Sequence, residues 1–298
     1  MTLNDEASFP QPQFHTTTGK PNNQKPAKAK SFIPVILTGV ALAYLALVLY
    51  IPALNVFFQA FKNGIGPFLS NLTDSNFLSA AKLTLLLALI AVPLNTVFGL
   101  CAAWAIARHN FPGRTLLLSI IDLPFSISPV VAGLMLVLLY GRNGWFGEWL
   151  QAHDIKIIFA FPGMVLATAF VSMPFVAREV IPVLEELGND QEEAAETLGA
   201  NGWQVFWRVT LPNIRWGLLY GLLLTNARAM GEFGAVSVVS GNIAGKTQSL
   251  PLFVEDAYKQ YETEAAYSAA VLLALLAVVT LVLKEILERK TGAKSKAE

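Results

Sequence analysis

Arg228 and Glu232 are the most expensive residues in this chain, because both fall inside an apolar run long enough to lie in a membrane. A charged side chain at the centre of a bilayer costs about 2.5–3.5 kcal/mol on insertion scales, and more when it faces lipid. Spaced i, i+4, the two share one face of a helix and can pair. Their Arg-first order is the less favourable one, so each is expected to find further partners and to face the bundle interior or a partner subunit. Two roles are open to them. Arg228 can help an anion past the centre of a pathway, with Gly231 and Gly234 allowing close packing and Ser237 and Ser240 supplying hydroxyls. Alternatively, the pair is structural and fixes the register of the helix.

Other chemistry is hard to assemble from these residues. No nucleophile–base pair or carboxylate pair falls in a plausible pocket, so no catalytic site is expected. His15, His109 and His153 lie in a tail and in two loops on opposite expected sides, and no metal site is expected from them. Cys101 stands alone, which excludes an intrachain disulfide and makes it a small apolar packing residue. Gly241–Thr247, GNIAGKT, imitates a phosphate-binding loop but has three residues between its glycines instead of four and no preceding strand. No nucleotide site is expected in this chain.

The most patterned polar stretch is Glu193–Pro212, EAAETLGANGWQVFWRVTLP. Asn189 and Asp190 are good N-cap residues, and the run after them is strongly helical with acids in its first turn. Gly199 is expected to stop that helix. Asn201 with Gln204 three residues on has the form of a capping box for a second helix, and Pro212 is expected to end the hydrogen-bond ladder. Ala194 and Ala195 would leave a surface for close approach, rimmed by Glu192 and Glu193.

The elements that must position these residues are membrane spans. The chain has 298 residues, of which 54% are hydrophobic and only 14% charged, and its mean hydropathy is +0.51. Soluble domains carry about 25% charged residues. A spanning helix needs about 20 largely apolar residues, and segments near 33–58, 79–106, 115–140, 157–177, 213–240 and 266–287 qualify. Pro93 and Asn95 interrupt the second, Asp122, Pro124 and Pro129 the third, and Gly231, Gly234 and Gly241 the fifth. Such breaks fit a bundle around a pathway better than a plain anchor.

Charge sets the expected orientation. With the N-terminus inside, the inner segments hold Lys20, Lys25, Lys28, Lys30, Arg108, Arg114, Arg178, Arg208, Arg215, Lys284, Arg289, Lys290, Lys294 and Lys296. The outer ones hold Lys62, Lys82, Arg142, Lys156, Lys246 and Lys259. This asymmetry puts both termini and the 188–212 loop in the cytoplasm. Residues 1–31 read as a disordered cytoplasmic tail, 32–288 as the membrane domain and 289–298 as a second tail.

The loop's spacing, Glu-Ala-Ala, three residues, Gly199, nine residues, then Val209-x-Leu211-Pro212, resembles the cytoplasmic loop of membrane subunits in binding-protein-dependent ABC importers. Val209 stands where those proteins usually have Ile. The resemblance implies that Glu193, Ala194, Ala195, Gly199, Leu211 and Pro212 build a coupling helix docking on an ATPase. Asn226–Gly241, NARAMGEFGAVSVVSG, with Asp122–Gly133 and Asn110–Arg114, resembles the sulfate/thiosulfate importer permeases, in the wording of the CysW-type rather than the CysT-type subunit. From about Phe32 to Leu287 the chain fits that family.

The resemblance implies an all-α integral membrane fold, a six-helix bundle of the small, type I importer kind, in a bacterial cytoplasmic (inner) membrane. It implies a homologous CysT-type permease, an ABC ATPase dimer and a periplasmic or surface-tethered sulfate-binding protein as partners, beside the lipid bilayer and without nucleic acid. The binding protein would meet loops near 59–78, 141–156 and 241–265. ATP and Mg would bind the ATPase, leaving this chain without a cofactor. A molybdate or tungstate importer permease is the alternative within transport, and a stand-alone anion carrier or channel is the alternative outside it.

Overall fold

A computed structural model describes residues 33–295; the tail expected over 1–31 and the last residues, 296–298, lie outside them. The chain divides into a unit ending at Ile51 and a unit from Pro52 onward. In the first, α1 (Ile33–Leu45) runs into a π-helical turn, Ala46–Tyr50. Helix α2 (Ile51–Phe61) follows, and residues Ile36–Phe61 are apolar enough to cross a bilayer.

The second unit continues with α3 (Ile65–Leu72) and α4 (Ser75–Arg108). Asp74 starts α4 by accepting hydrogen bonds from the backbone N–H groups of Asn76 (2.8 Å) and Phe77 (3.1 Å), which satisfies donors that a helix start leaves free. At 1.5 Å per residue α4 is about 50 Å long, more than the hydrocarbon layer requires. Then come α5 (Arg114–Ser126), α6 (Pro129–Tyr140), the short α7 (Gly147–Ala152), α8 (Phe161–Ser172) and α9 (Pro174–Leu187). The polar loop holds α10 (Asp190–Thr197) and α11 (Gly202–Val205), and α12 (Leu211–Met230), α13 (Gly234–Ser240), α14 (Leu250–Lys259) and α15 (Thr263–Ser295) complete the unit. No strand occurs among the described residues.

The all-α membrane class stands, but three expected spans change form. Length and apolarity alone admit four crossings among the described residues: Ile36–Phe61, Ser75–Arg108, Phe161–Leu187 and Thr263–Thr280. The expected 115–140 span is bent by 113° between α5 and α6. The bend follows from Pro129, which opens α6, and from the extended backbone of Ile127 that ends α5. The expected 213–240 span divides at Gly231–Phe233. The fourth span does not stop at Ala177, because α9 carries it to Leu187.

Both broken spans still traverse the unit. Arg114, at the start of α5, pairs with Glu185 near the end of α9 at 2.8 Å. Val137 and Tyr140, at the end of α6, pack instead against the cluster that holds Ile158 and Met164, at the other end of the α8–α9 span. Likewise Ile214 of α12 packs on Val180 and Leu184, whereas Val239 of α13 accepts a hydrogen bond from Phe159 N–H at 2.7 Å.

Small residues bring these helices together. A Cβ on Gly99 would lie 2.7 Å from Val176 Cβ, and one on Gly133 would lie 2.7 Å from the Ala235 carbonyl oxygen. Membrane helices gain little from the hydrophobic effect between them, so close backbone approach and interhelical hydrogen bonds carry the association. Asn95 supplies such bonds, donating through Nδ2 to Ala169 O (3.0 Å) and Ser172 Oγ (2.8 Å). Large apolar side chains such as Leu89 of α4 and Leu138 of α6 are 69% and 70% exposed, a pattern suited to lipid.

Candidate functional site

The polar loop is built as two short helices around a tight turn. Helix α10 carries Asp190, Glu192 and Glu193 in its first turn, where acids suit the helix dipole. The Asn189 side chain makes no capping bond; its carbonyl oxygen accepts from the Glu192 and Glu193 N–H groups instead. Gly199 ends the helix at φ +88°. Its N–H bonds to Glu196 O (2.9 Å), and the Ala200 N–H reaches back to Ala195 O (3.1 Å). That pair of bonds is a Schellman closure, which places its left-handed residue at glycine. The capping box forms as expected, with Gln204 N donating to Asn201 Oδ1 (2.9 Å) and Asn201 N donating to Gln204 Oε1 (3.0 Å).

Pro212 does not end the second helix. A π-helical turn, Phe206–Thr210, runs into α12 with Pro212 in its first turn. The wider turn gives the proline ring room and routes Leu211 N–H to Phe206 O, so the missing proline donor interrupts nothing. Leu211 is half-buried against the Val180, Leu184 and Ile214 cluster.

Burial separates two faces of α10. Glu193, Ala194 and Leu198 are exposed, Leu198 by 89%, and Ala195 is half-buried. On the other side, Glu192 is tied into the bundle by an arrangement that local sequence does not announce. Arg108, the last residue of α4, clamps Glu192 with two bonds, Nε to Oε2 at 2.9 Å and an outer nitrogen to Oε1 at 3.1 Å. Its other outer nitrogen donates to Leu184 O at 2.7 Å, near the end of α9. Thr210 Oγ1 donates to Glu192 Oε1 at 2.7 Å. The Arg108 and Glu192 side chains are 6% and 15% exposed, so this is a desolvated, fully engaged ion pair. It joins α10 to α4, α9 and the turn leading into α12.

The second group of expected residues sits at the α12–α13 break. Arg228 and Glu232 pair at 2.5 Å, with Arg228 30% exposed and Glu232 2% exposed. The contact lies off the hydrogen-bonding direction at Oε2, while Oε1 accepts the Ala235 N–H at 2.7 Å. Glu232 thereby caps α13 and holds Arg228 to the break. Gly231 ends α12, and a Cβ on Gly234 would lie 2.8 Å from Pro129 Cβ at the start of α6. Ser237 Oγ donates to Gly234 O, and the buried Ser240 Oγ accepts from Asn242 N–H.

Within the Gly241–Thr247 loop Ile243 N–H donates to Thr247 Oγ1 at 3.2 Å, while Asn242 Oδ1 is buried without a hydrogen-bond partner. Arg178, expected in an inner segment, and Asp122, expected to interrupt the third span, form an ion pair at 2.8 Å between α9 and α5.

Residues 95–293 match the family described as the binding-protein-dependent transport system inner membrane component. The chain is 70% identical over 260 residues to the sulfate transport system permease protein CysW of Synechocystis sp. (strain ATCC 27184 / PCC 6803 / Kazusa), covering 87% of this chain and 94% of that one. It is 44% identical over 240 residues, 80% of this chain and 87% of the other, to the sulfate transport system permease protein CysT of Escherichia coli (strain K12). Its fold matches a chain of a bacterial alginate ABC transporter crystallised with an alginate pentasaccharide-bound periplasmic protein, at a TM-score of 0.73 and 18% identity over 87% of this chain and 95% of that chain. At that identity the likeness is one of fold. A multi-pass helical bundle, an anchored polar loop and a family match spanning most of the bundle lead to one conclusion: this chain belongs to the binding-protein-dependent transport system inner membrane components.

Proposed function

We propose that this chain is the CysW-type permease subunit of an ATP-driven importer of sulfate and thiosulfate. One observation carries the coupling: α10 is open on its Glu193, Ala194 and Leu198 side and locked to three membrane helices by the Arg108–Glu192 clamp. The substrate follows from the 70%-identical relative, which is named for sulfate transport.

In this reading α10 and both termini lie in the cytoplasm, as the Lys and Arg asymmetry favours. The open face of α10 docks on one subunit of an ATPase dimer, which binds ATP and Mg, so this chain performs no catalysis itself. A homologous CysT-type permease presents its own loop to the other ATPase subunit. ATP binding draws the two loops together. Because the clamp ties α10 to α4, α9 and α12, those helices move as one body, and the α5–α6 and α12–α13 breaks accommodate the shift. The outer gate opens to the sulfate-binding protein, which meets the loops at the opposite end, and hydrolysis resets the bundle. The Arg228–Glu232 pair keeps the α12–α13 break in register, with Gly231, Gly234, Ser237 and Ser240 packed around it.

Labelled-sulfate uptake tests the reading in proteoliposomes holding the co-purified complex, with binding protein outside and ATP inside. Uptake requiring both is expected. Uptake without ATP would assign the chain to a carrier or channel instead.

A further inference from the structure

Arg178 and Asp122 are not needed by the coupling loop or by the Arg228–Glu232 pair, yet they join α9 to α5 within the membrane domain. A Cβ on Gly99 of α4 would lie 3.0 Å from Ala177 N, which sets the level of the adjacent Arg178. Gly99 is nine residues before Arg108, about 13 Å at the helical rise. Asp122 is eight residues past Arg114 on α5, about 12 Å by the same rise. Both paths put the pair about 12–13 Å from the polar-loop end of the bundle. The side chains are nevertheless 56% and 39% exposed. A charged pair among apolar membrane helices faces protein or a water-filled cavity, not acyl chains.

The geometry suits an anion. Arg178 Nε donates to Asp122 Oδ1 at 2.8 Å, and the guanidinium carbon lies 5.2 Å from the centre of the Phe125 ring. Phe125 is in turn held edge-on by Phe175 at 5.4 Å. One face of the guanidinium is thus covered and one nitrogen used, while its terminal nitrogens have no acceptor among the described residues. A planar donor fork fixed in this way matches two oxygens of a tetrahedral oxyanion. Asp122 offsets the charge, so a passing dianion would be held weakly enough to leave, as conduction requires. Arg228 is placed differently, because its partner Glu232 is buried and also serves as the cap of α13.

We infer that Arg178, oriented by Asp122 and Phe125, is a transient contact site for a tetrahedral oxyanion in the pathway that this subunit lines. The inference rests on the importer reading above. The test uses the whole complex in proteoliposomes and compares wild type, Arg178→Lys and the double substitution Arg178→Gln with Asp122→Asn. The double variant leaves no unpaired charge, which protects folding. It is expected to co-purify with the second permease and the ATPase and to hydrolyse ATP when loaded binding protein is added. Its labelled-sulfate uptake is expected to be slower by about tenfold or more, the worth of a charge-assisted hydrogen bond. Arg178→Lys keeps the charge without the fork and should fall between the two.

Unchanged uptake by the double variant overturns the inference. So does loss of the second permease from its complex, which would make the pair a subunit contact. A wild-type complex that takes up no sulfate would instead overturn the importer reading itself.

Discussion

Arg108→Ala is expected to be the most damaging single substitution in the subunit. Glu192 is then left at 15% exposure with Thr210 Oγ1 as its remaining donor, and Leu184 O loses its partner as well. Breaking a buried ion pair from one side costs about 3–5 kcal/mol, since the surviving charge stays desolvated. Thermal unfolding of the purified complex should therefore shift down clearly, with sulfate uptake lost. The double substitution Arg108→Met with Glu192→Leu removes both charges and should regain most of the stability, because an apolar pair of similar volume is neutral to stabilising. Equal instability of the single and double variants would mean that the pair is not what anchors α10.

Gly199→Val should separate assembly from transport. At φ +88° a side chain is strained, and nothing lies within 4 Å of the added Cβ, so the penalty comes from the backbone alone. A left-handed conformation costs an L-residue about 1–2 kcal/mol, and β-branching raises it. The turn relieves this by giving up its Schellman bonds, which tilts α10 away from α11. The complex is expected to assemble and hydrolyse ATP while sulfate uptake falls steeply. Gly199→Asn, which tolerates the left-handed region, should keep most uptake. Identical uptake by the Val and Asn variants would contradict a role for this turn.

The parts of the fold that depend on neighbours in sequence were readable from it. Gly199 as a helix stop and Asn201 with Gln204 as a capping box are local chemistry, and both formed. Proline and glycine marked where the third and fifth spans break. They did not give the 113° bend, because a missing hydrogen bond has no direction until other helices supply one. Pro212 misled for a related reason: a π-helical turn absorbed it. The fourth span was ended too early because Arg178 looks like a boundary when its partner, 56 residues away, is unknown. The Arg108–Glu192 clamp joins residues 84 apart, and nothing local marks it beyond an arginine closing a long apolar run.

The claim that ATP acts on this subunit through α10 is tested most directly by cross-linking. With Cys101 replaced by Ser, single cysteines at Leu198 and Tyr261 give two sites of equal accessibility, 89% and 88% exposed, at opposite ends of the bundle. In the assembled complex Leu198→Cys is expected to cross-link to the ATPase subunit, with a yield that changes when ATP is added, and Tyr261→Cys is expected to give no such product. An assembled, ATP-hydrolysing complex in which Leu198→Cys never reaches the ATPase, or in which Tyr261→Cys does, would contradict the account.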